Sequence, residues 1–81
     1  MDYKIELKLQ GKKYKGEGET FATAVAGMGI RNPKGAAVLS VAWGERKIDK
    51  ILSPFIVSKL FSLNSKLRDM YIKKYSLMFK L

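Results

Sequence analysis

The N-terminal segment alternates between apolar and charged side chains, a pattern that predicts β-strands with one buried face. In YKIELKL, from residue 3 to residue 9, every second side chain is apolar and those between them are charged. KKYKGEG supplies a second strand, and Gln10 with Gly11 forms the two-residue turn between the two. In the resulting register two cross-strand pairs join opposite charges, whereas Lys8 faces Lys13. The sequence therefore predicts a hairpin with a strongly positive turn end.

A change from a period of two to a helical period marks the first helix. Thr20 is a typical N-cap residue. Behind it, apolar side chains recur on one helical face at Phe21, Ala24, Val25 and Met28. After a loop containing RNPKG, the apolar segment AAVLSVAW predicts a central strand. Gly44 and Glu45 form a turn of type II′, from which RKIDKIL returns as the second strand of another hairpin.

The C-terminal third predicts either two helices with a bend or one long helix broken by a polar step, and we favour two. Ser53 and Pro54 suit the N-cap and the first position of one helix, and Asn64 with Ser65 caps the next. On a helical projection, the apolar side chains of the last helix spread over an arc of about 220°, although a helix on a small sheet needs little more than about 100°. Part of this apolar surface has no expected neighbour within the chain.

These elements follow the order β-β-α-β-β-α-α and predict a small single α+β domain over residues 1–81. We expect a four-stranded sheet, built from two hairpins, with the helices packed on one face. A chain of 81 residues has room for one core, and its 47% apolar and 28% charged residues are typical of a globular protein. Lysine or arginine interrupts each apolar run and no signal peptide is visible, so the sequence predicts a soluble, cytoplasmic protein without a transmembrane segment.

The charge of the chain is strongly positive. Sixteen lysines and arginines against seven aspartates and glutamates give a net charge of +9, which attracts polyanions such as nucleic acid. The candidate nucleic-acid-binding residues lie in or beside the predicted turns: Lys8, Lys12, Lys13, Lys15, Arg31, Lys34, Arg46 and Lys47. Because most of them are lysines, which contact phosphate without identifying bases, we expect no sequence specificity. The alternative is that these lysines only solvate the surface and protect strand edges.

Candidate catalytic chemistry is sparse. The sequence contains no histidine and no cysteine, which removes the usual zinc ligands, thiol nucleophiles and the commonest general base. We therefore predict no catalytic residue, no metal site and no cofactor. Gly16 and Gly18 precede the first helix as in a phosphate-binding loop, but two neighbouring glutamates favour a sharp strand-to-helix turn instead. Trp43 with Arg46 suggests either a stacking platform for a base or, as we favour, a cation–π pair that caps the end of the core.

The apolar surplus of the last helix permits three interpretations: it is core, it contacts another protein chain, or it anchors the domain on anionic lipid. For the surplus we favour a protein contact, because tyrosines spread across the arc and tyrosine is enriched in protein interfaces. The candidate interface residues are Tyr71, Ile72, Tyr75, Met78 and Phe79.

Together these features predict a non-enzymatic basic module that contacts nucleic acid or a ribonucleoprotein through lysines, without sequence preference. The last helix would dock the module to a second copy, as a homo-oligomer, or to a larger assembly. The alternative is an assembly or inhibitor-type protein whose basic surface and C-terminal helix bind an acidic protein partner.

Overall fold

The computed structural model describes residues 2–30 and 33–78. Its elements are, in chain order, β1 (Tyr3–Leu9), β2 (Lys12–Gly18), α1 (Phe21–Ala26), β3 (Ala37–Trp43), β4 (Arg46–Leu52), α2 (Pro54–Leu60) and α3 (Ser65–Met78). The four strands form one sheet in the order β2-β1-β3-β4, and each neighbouring pair is antiparallel. The predicted α+β fold and its order of elements are confirmed.

Two tight turns fix the registers of the hairpins. Gln10 and Gly11 have φ angles of 50° and 79°, so both central positions of the first turn are left-handed, as a type I′ turn requires. In the second turn the first central residue, Gly44, is left-handed with φ of 58° and the second is not, which agrees with the predicted type II′ turn. Both registers agree with the sequence prediction, including Lys8 opposite Lys13.

The two hairpins join through β1 and β3, which pair along their whole length with Leu7 opposite Leu39. On the helix side of these strands the apolar side chains are buried: Ile5, Leu7, Leu9, Ala37, Leu39, Val41 and Trp43. The helices close the core from that side with Phe21, Val25, Val57, Leu60 and Ile72. Full burial of a side chain such as leucine contributes roughly 1.5–3 kcal/mol, so this layer between sheet and helices is the main source of stability.

Helix α1 lies directly on β2 because the strand presents glycines to it. A Cβ atom at Gly16 would overlap the carbonyl oxygen of Ala24 and would lie 2.6 Å from Cγ of Met28. A Cβ atom at Gly18 would lie 2.8 Å from the backbone nitrogen of Ala24. Packing of the helix on the strand therefore requires both glycines, which supports the interpretation of this segment as a strand-to-helix turn.

Side-chain caps mark the beginning of all three helices. At α1 the cap is reciprocal: Oγ1 of Thr20 accepts a hydrogen bond of 3.1 Å from the N–H of Thr23, and Oγ1 of Thr23 accepts one of 2.9 Å from the N–H of Thr20. Oγ of Ser53 and Oδ1 of Asn64 accept backbone N–H hydrogen bonds of 3.3 Å and 3.2 Å at the starts of α2 and α3. The polar residues predicted as caps therefore define where the helices begin.

Helix α3 completes the helix layer by packing against α1 and α2. It buries Ile72 and Tyr75 within the core. Among residues 2–30 and 33–78, no helix is long and apolar enough to cross a membrane.

Substitution of Gly16 by alanine should destabilise the fold, because the added methyl group meets backbone that cannot move aside without shifting α1. We expect the free energy of unfolding to fall by about 1–3 kcal/mol, as is typical of overpacking. The matched control is Gly27→Ala. Gly27 has φ of −68°, and the nearest neighbour of an added Cβ atom lies at 3.4 Å.

The control should therefore lose no stability, or gain about 0.4–1 kcal/mol from the smaller conformational freedom of its unfolded chain. Urea denaturation of the two variants measures the difference. Equal stabilities would contradict the packing argument for the glycine in β2.

Candidate nucleic-acid interface

The helices cover one face of the sheet and leave the other, which we call the open face, exposed to solvent. Since side chains alternate along a strand, each strand contributes three residues to it. Strands β2 and β1 contribute Lys13, Lys15, Glu17, Lys4, Glu6 and Lys8. Strands β3 and β4 contribute Val38, Ser40, Ala42, Lys47, Asp49 and Ile51. The open face thus carries five lysines and three carboxylates.

A groove of about 660 Å³ crosses the open face and is lined by residues of all four strands. The lining includes the small side chains of Ser40 and Ala42 and the longer, charged side chains of Glu6 and Lys47. The groove is wide open to solvent and lined by charges of both signs, unlike the mostly apolar, concave sites that bury small molecules. We therefore place the candidate site not in the groove but on exposed lysines at one end of the sheet.

Four exposed lysines lie at one end of the sheet, which we call the lysine end: Lys8, Lys12, Lys13 and Lys34. Lys8 lies directly opposite Lys13 on the open face, whereas Lys12 pairs with Leu9 and therefore belongs to the helix side of the sheet. The segment before β3 lies beside this turn, since a Cβ atom at Gly35 would be 3.0 Å from Nε2 of Gln10. The cross-strand row at this end continues into apolar residues of β3 and β4, so it contains no carboxylate.

The other candidate residues lie elsewhere. Lys15 is on the open face next to the lysine end, opposite Glu6. Arg46 and Lys47 follow the second turn at the opposite end of the sheet. Along β3, Ala42 beside Lys47 lies four residues, or about 13 Å, beyond Val38 beside Lys8. Arg31 lies outside the described residues. The structure therefore brings five of the eight candidates together and separates two from them.

Aromatic side chains are absent from the open face of the sheet in the described structure. Trp43 is 8% exposed, and its ring centroid lies 5.8 Å from that of Tyr3 on the helix side. The interpretation of Trp43 as a stacking platform is therefore wrong, because a buried ring cannot stack on a base. Trp43 instead closes one end of the core, and a nucleic acid on the open face would be held by its phosphates.

The candidate interface on α3 needs correction. Ile72 and Tyr75 are 5% and 8% exposed and belong to the core, and Tyr71 is half-buried against them. These side chains are used within the chain, which leaves little of them for a partner. Met78 is 62% exposed, whereas Phe79 lies outside the described residues.

The structure exposes two apolar residues of α3 that the sequence analysis did not select, Met70 at 58% and Leu77 at 72%. The sequence does contain a signal for them. Lys66 lies four residues before Met70, and Lys73 lies three residues after Met70 and four before Leu77, so these residues share one helical stripe. Because lysine is almost never fully buried, this stripe is expected to face solvent. Ile51 on the open face is also exposed, at 84%. Alternation along β4 is the signal for it, because Ile51 shares a face with Lys47 and Asp49.

In the part of the chain that the structure describes, no cluster of side chains could hold a metal ion. Comparison with known proteins finds no match, whether among protein-family models, curated proteins or solved structures. The function is therefore argued from the lysine end and the open face.

Reversing the charge of Lys13 should stabilise the first hairpin, because an opposite-charge pair with Lys8 replaces a like-charge pair. Reversing Lys15 should destabilise it, since Lys15 lies opposite Glu6. For Lys13→Glu and Lys15→Glu we expect changes in the free energy of unfolding of about 0.2–1 kcal/mol with opposite signs. The two variants have the same net charge, so their comparison isolates the local pairs. Thermal denaturation at low salt measures it, and shifts of the same sign and size would contradict the argument.

Proposed function

We propose that this chain is a non-enzymatic basic module that binds nucleic acid, without sequence preference, through its lysine end. The observation that carries the proposal is the pair of facing lysines, Lys8 and Lys13, in a row of the sheet that contains no carboxylate, with Lys12 and Lys34 at the same end. Nucleic acid presents regularly spaced phosphates to such a cluster, and binding releases their counterions. A nucleic-acid partner also suits a cytoplasmic location.

Electrostatic repulsion between Lys8 and Lys13 favours an anion at this pair. Directly opposite side chains in antiparallel strands have Cβ atoms about 4.5–5.5 Å apart, and like charges at that separation destabilise the pair. Within residues 2–30 and 33–78, neither lysine forms a salt bridge. A phosphate placed between the two ammonium groups would relieve the repulsion. Relief of this repulsion, which is present in the free protein, therefore contributes part of the binding free energy.

The chemistry of lysine accounts for the lack of sequence preference. Its ammonium group is a point charge on a flexible stem, which attracts phosphate without distinguishing one base from another. Base readout requires groups such as the planar guanidinium of arginine, and single-strand recognition requires exposed aromatic rings. The lysine end contains neither, so its affinity depends on backbone charge.

Fluorescence anisotropy with a labelled single strand and a labelled duplex of arbitrary sequence tests the proposal. The informative variant is K8Q/K13Q, which removes two charges from the lysine end. The matched control is K66Q/K73Q, which removes two charges from α3. For duplex DNA we expect the slope of log Kd against log salt concentration to fall by roughly two in K8Q/K13Q, because each lost phosphate contact removes about 0.9. The control should keep the native slope.

Equal slopes for the two variants would contradict the assignment of binding to the lysine end. If the native chain binds neither polymer at low salt, the proposal fails, and an acidic protein becomes the partner to seek for the same lysines. Strong discrimination between unrelated nucleic-acid sequences would contradict the absence of base readout.

A further inference from the structure

A second basic surface lies on the side of α3 that is turned away from the core. Its exposed residues, which we call the outer face of α3, are Lys66, Asp69, Met70, Lys73, Lys74, Leu77 and Met78. The apolar side chains of Met70, Leu77 and Met78 are 58%, 72% and 62% exposed. Large apolar side chains that are exposed to solvent on the same face of a helix indicate an interaction surface.

Two of these apolar residues form a line along the helix. Met70 and Leu77 are seven residues apart, which places them about 10 Å apart along the axis and about 20° apart around it. By the same helical geometry, Lys66 and Lys73 flank this line on one side and Lys74 flanks it on the other. A flat partner can therefore contact the apolar tips and the ammonium groups at the same time.

The charge of the outer face argues against a second copy of this chain as its partner. The outer face carries three lysines and one carboxylate, Asp69, which lies 3.9 Å from the guanidinium of Arg68. Two outer faces brought together would both carry an excess of positive charge, and such like-charge contacts suppress association. The partner must therefore be anionic as well as apolar.

The tyrosines of α3 give no support for a protein partner at this face. Tyr75 is buried and Tyr71 is half-buried, with their ring centroids 6.2 Å apart. The Nζ atom of Lys74 lies 5.7 Å from the centroid of the Tyr71 ring, at the margin of the outer face. The apolar residues that remain on the outer face are aliphatic, so the enrichment of tyrosine in protein interfaces does not apply to them.

We propose that the outer face of α3 docks on the surface of an anionic lipid bilayer. The lysines meet the headgroup phosphates, while Met70, Leu77 and Met78 enter the boundary of the acyl chains beneath. A bilayer surface offers these two chemistries in parallel layers. Because the apolar line is narrow, the attachment is peripheral and reversible, and it depends on anionic lipid.

This surface is separate from the proposed nucleic-acid site. Lys8 and Lys13 project from the open face, whereas α3 belongs to the helix layer on the other side of the sheet. Either proposal can therefore fail without the other. If both hold, the domain joins a polyanion to a membrane surface.

Cosedimentation with vesicles tests the apolar part of the proposal. The native chain should bind vesicles of phosphatidylcholine mixed with phosphatidylserine, but not vesicles of phosphatidylcholine alone. We expect M70S/L77S to weaken binding roughly tenfold to a hundredfold, because it removes two aliphatic groups that insert. The matched control is V38S/I51S, which removes two exposed apolar side chains from the open face and should bind like the native chain.

The two double variants of the nucleic-acid experiment also test the contribution of the lysines to vesicle binding. Here K66Q/K73Q is the informative variant and K8Q/K13Q is the control. K66Q/K73Q should weaken binding to anionic vesicles by roughly fivefold for each lysine removed. K8Q/K13Q loses the same charge from the other side of the sheet and should bind nearly as well as the native chain. Circular dichroism of each variant confirms that the fold is retained.

The proposal is overturned if no vesicle binds, if neutral vesicles bind as well as anionic ones, or if M70S/L77S binds like its control. A dimer in solution that M70S/L77S dissociates would overturn it in favour of a second copy. Failure here is distinguishable from failure of the nucleic-acid proposal, which is measured with a different ligand and depends on a different pair of lysines.

Discussion

The pairing of β1 with β3 is the contact on which the rest of the structure depends. It joins two hairpins, each of which would be marginal alone, into a sheet with one continuous apolar face. Leu7 and Leu39, which are 0% and 1% exposed, lie opposite each other at its centre. Because successive side chains point to opposite faces, burial of these residues forces the charged residues between them onto the open face. The core therefore positions the lysines of β1.

Much of the fold could be predicted because its signals are local. Two-residue turns determine both hairpin registers, facing charges support the first of them, and polar caps determine where the helices begin. The pairing of β1 with β3 has no such signal, since it joins segments far apart in the sequence and an apolar strand can pair with several partners. The orientation of α3 was also undetermined. Its apolar residues cover so wide an arc that only packing against α1 and α2 places Ile72 inside and Met70 outside.

Strand direction explains why the candidate binding residues divide into two groups. In the antiparallel sheet β1 ends where β3 begins, so the turn after β1 and the segment before β3 lie at the same end, and Lys34 joins Lys8 there. Strands β3 and β4 turn at the other end, which separates Arg46 from that group. In the sequence all three are basic residues near turns. Composition does not show which turns lie at the same end of the sheet. The lysine end could therefore be identified only once the order and direction of the strands were known.

The position of the single tryptophan has a practical consequence for work in solution. Trp43 lies within the hydrophobic interior, at the end of β3 remote from the β1–β2 turn. Its intrinsic emission responds to loss of the native state, but the ring lies on the other face of the sheet from Lys8 and Lys13. Denaturation can thus be followed by the fluorescence of the unlabelled chain, whereas binding of a nucleic acid is better measured with a fluorescent label on the nucleic acid.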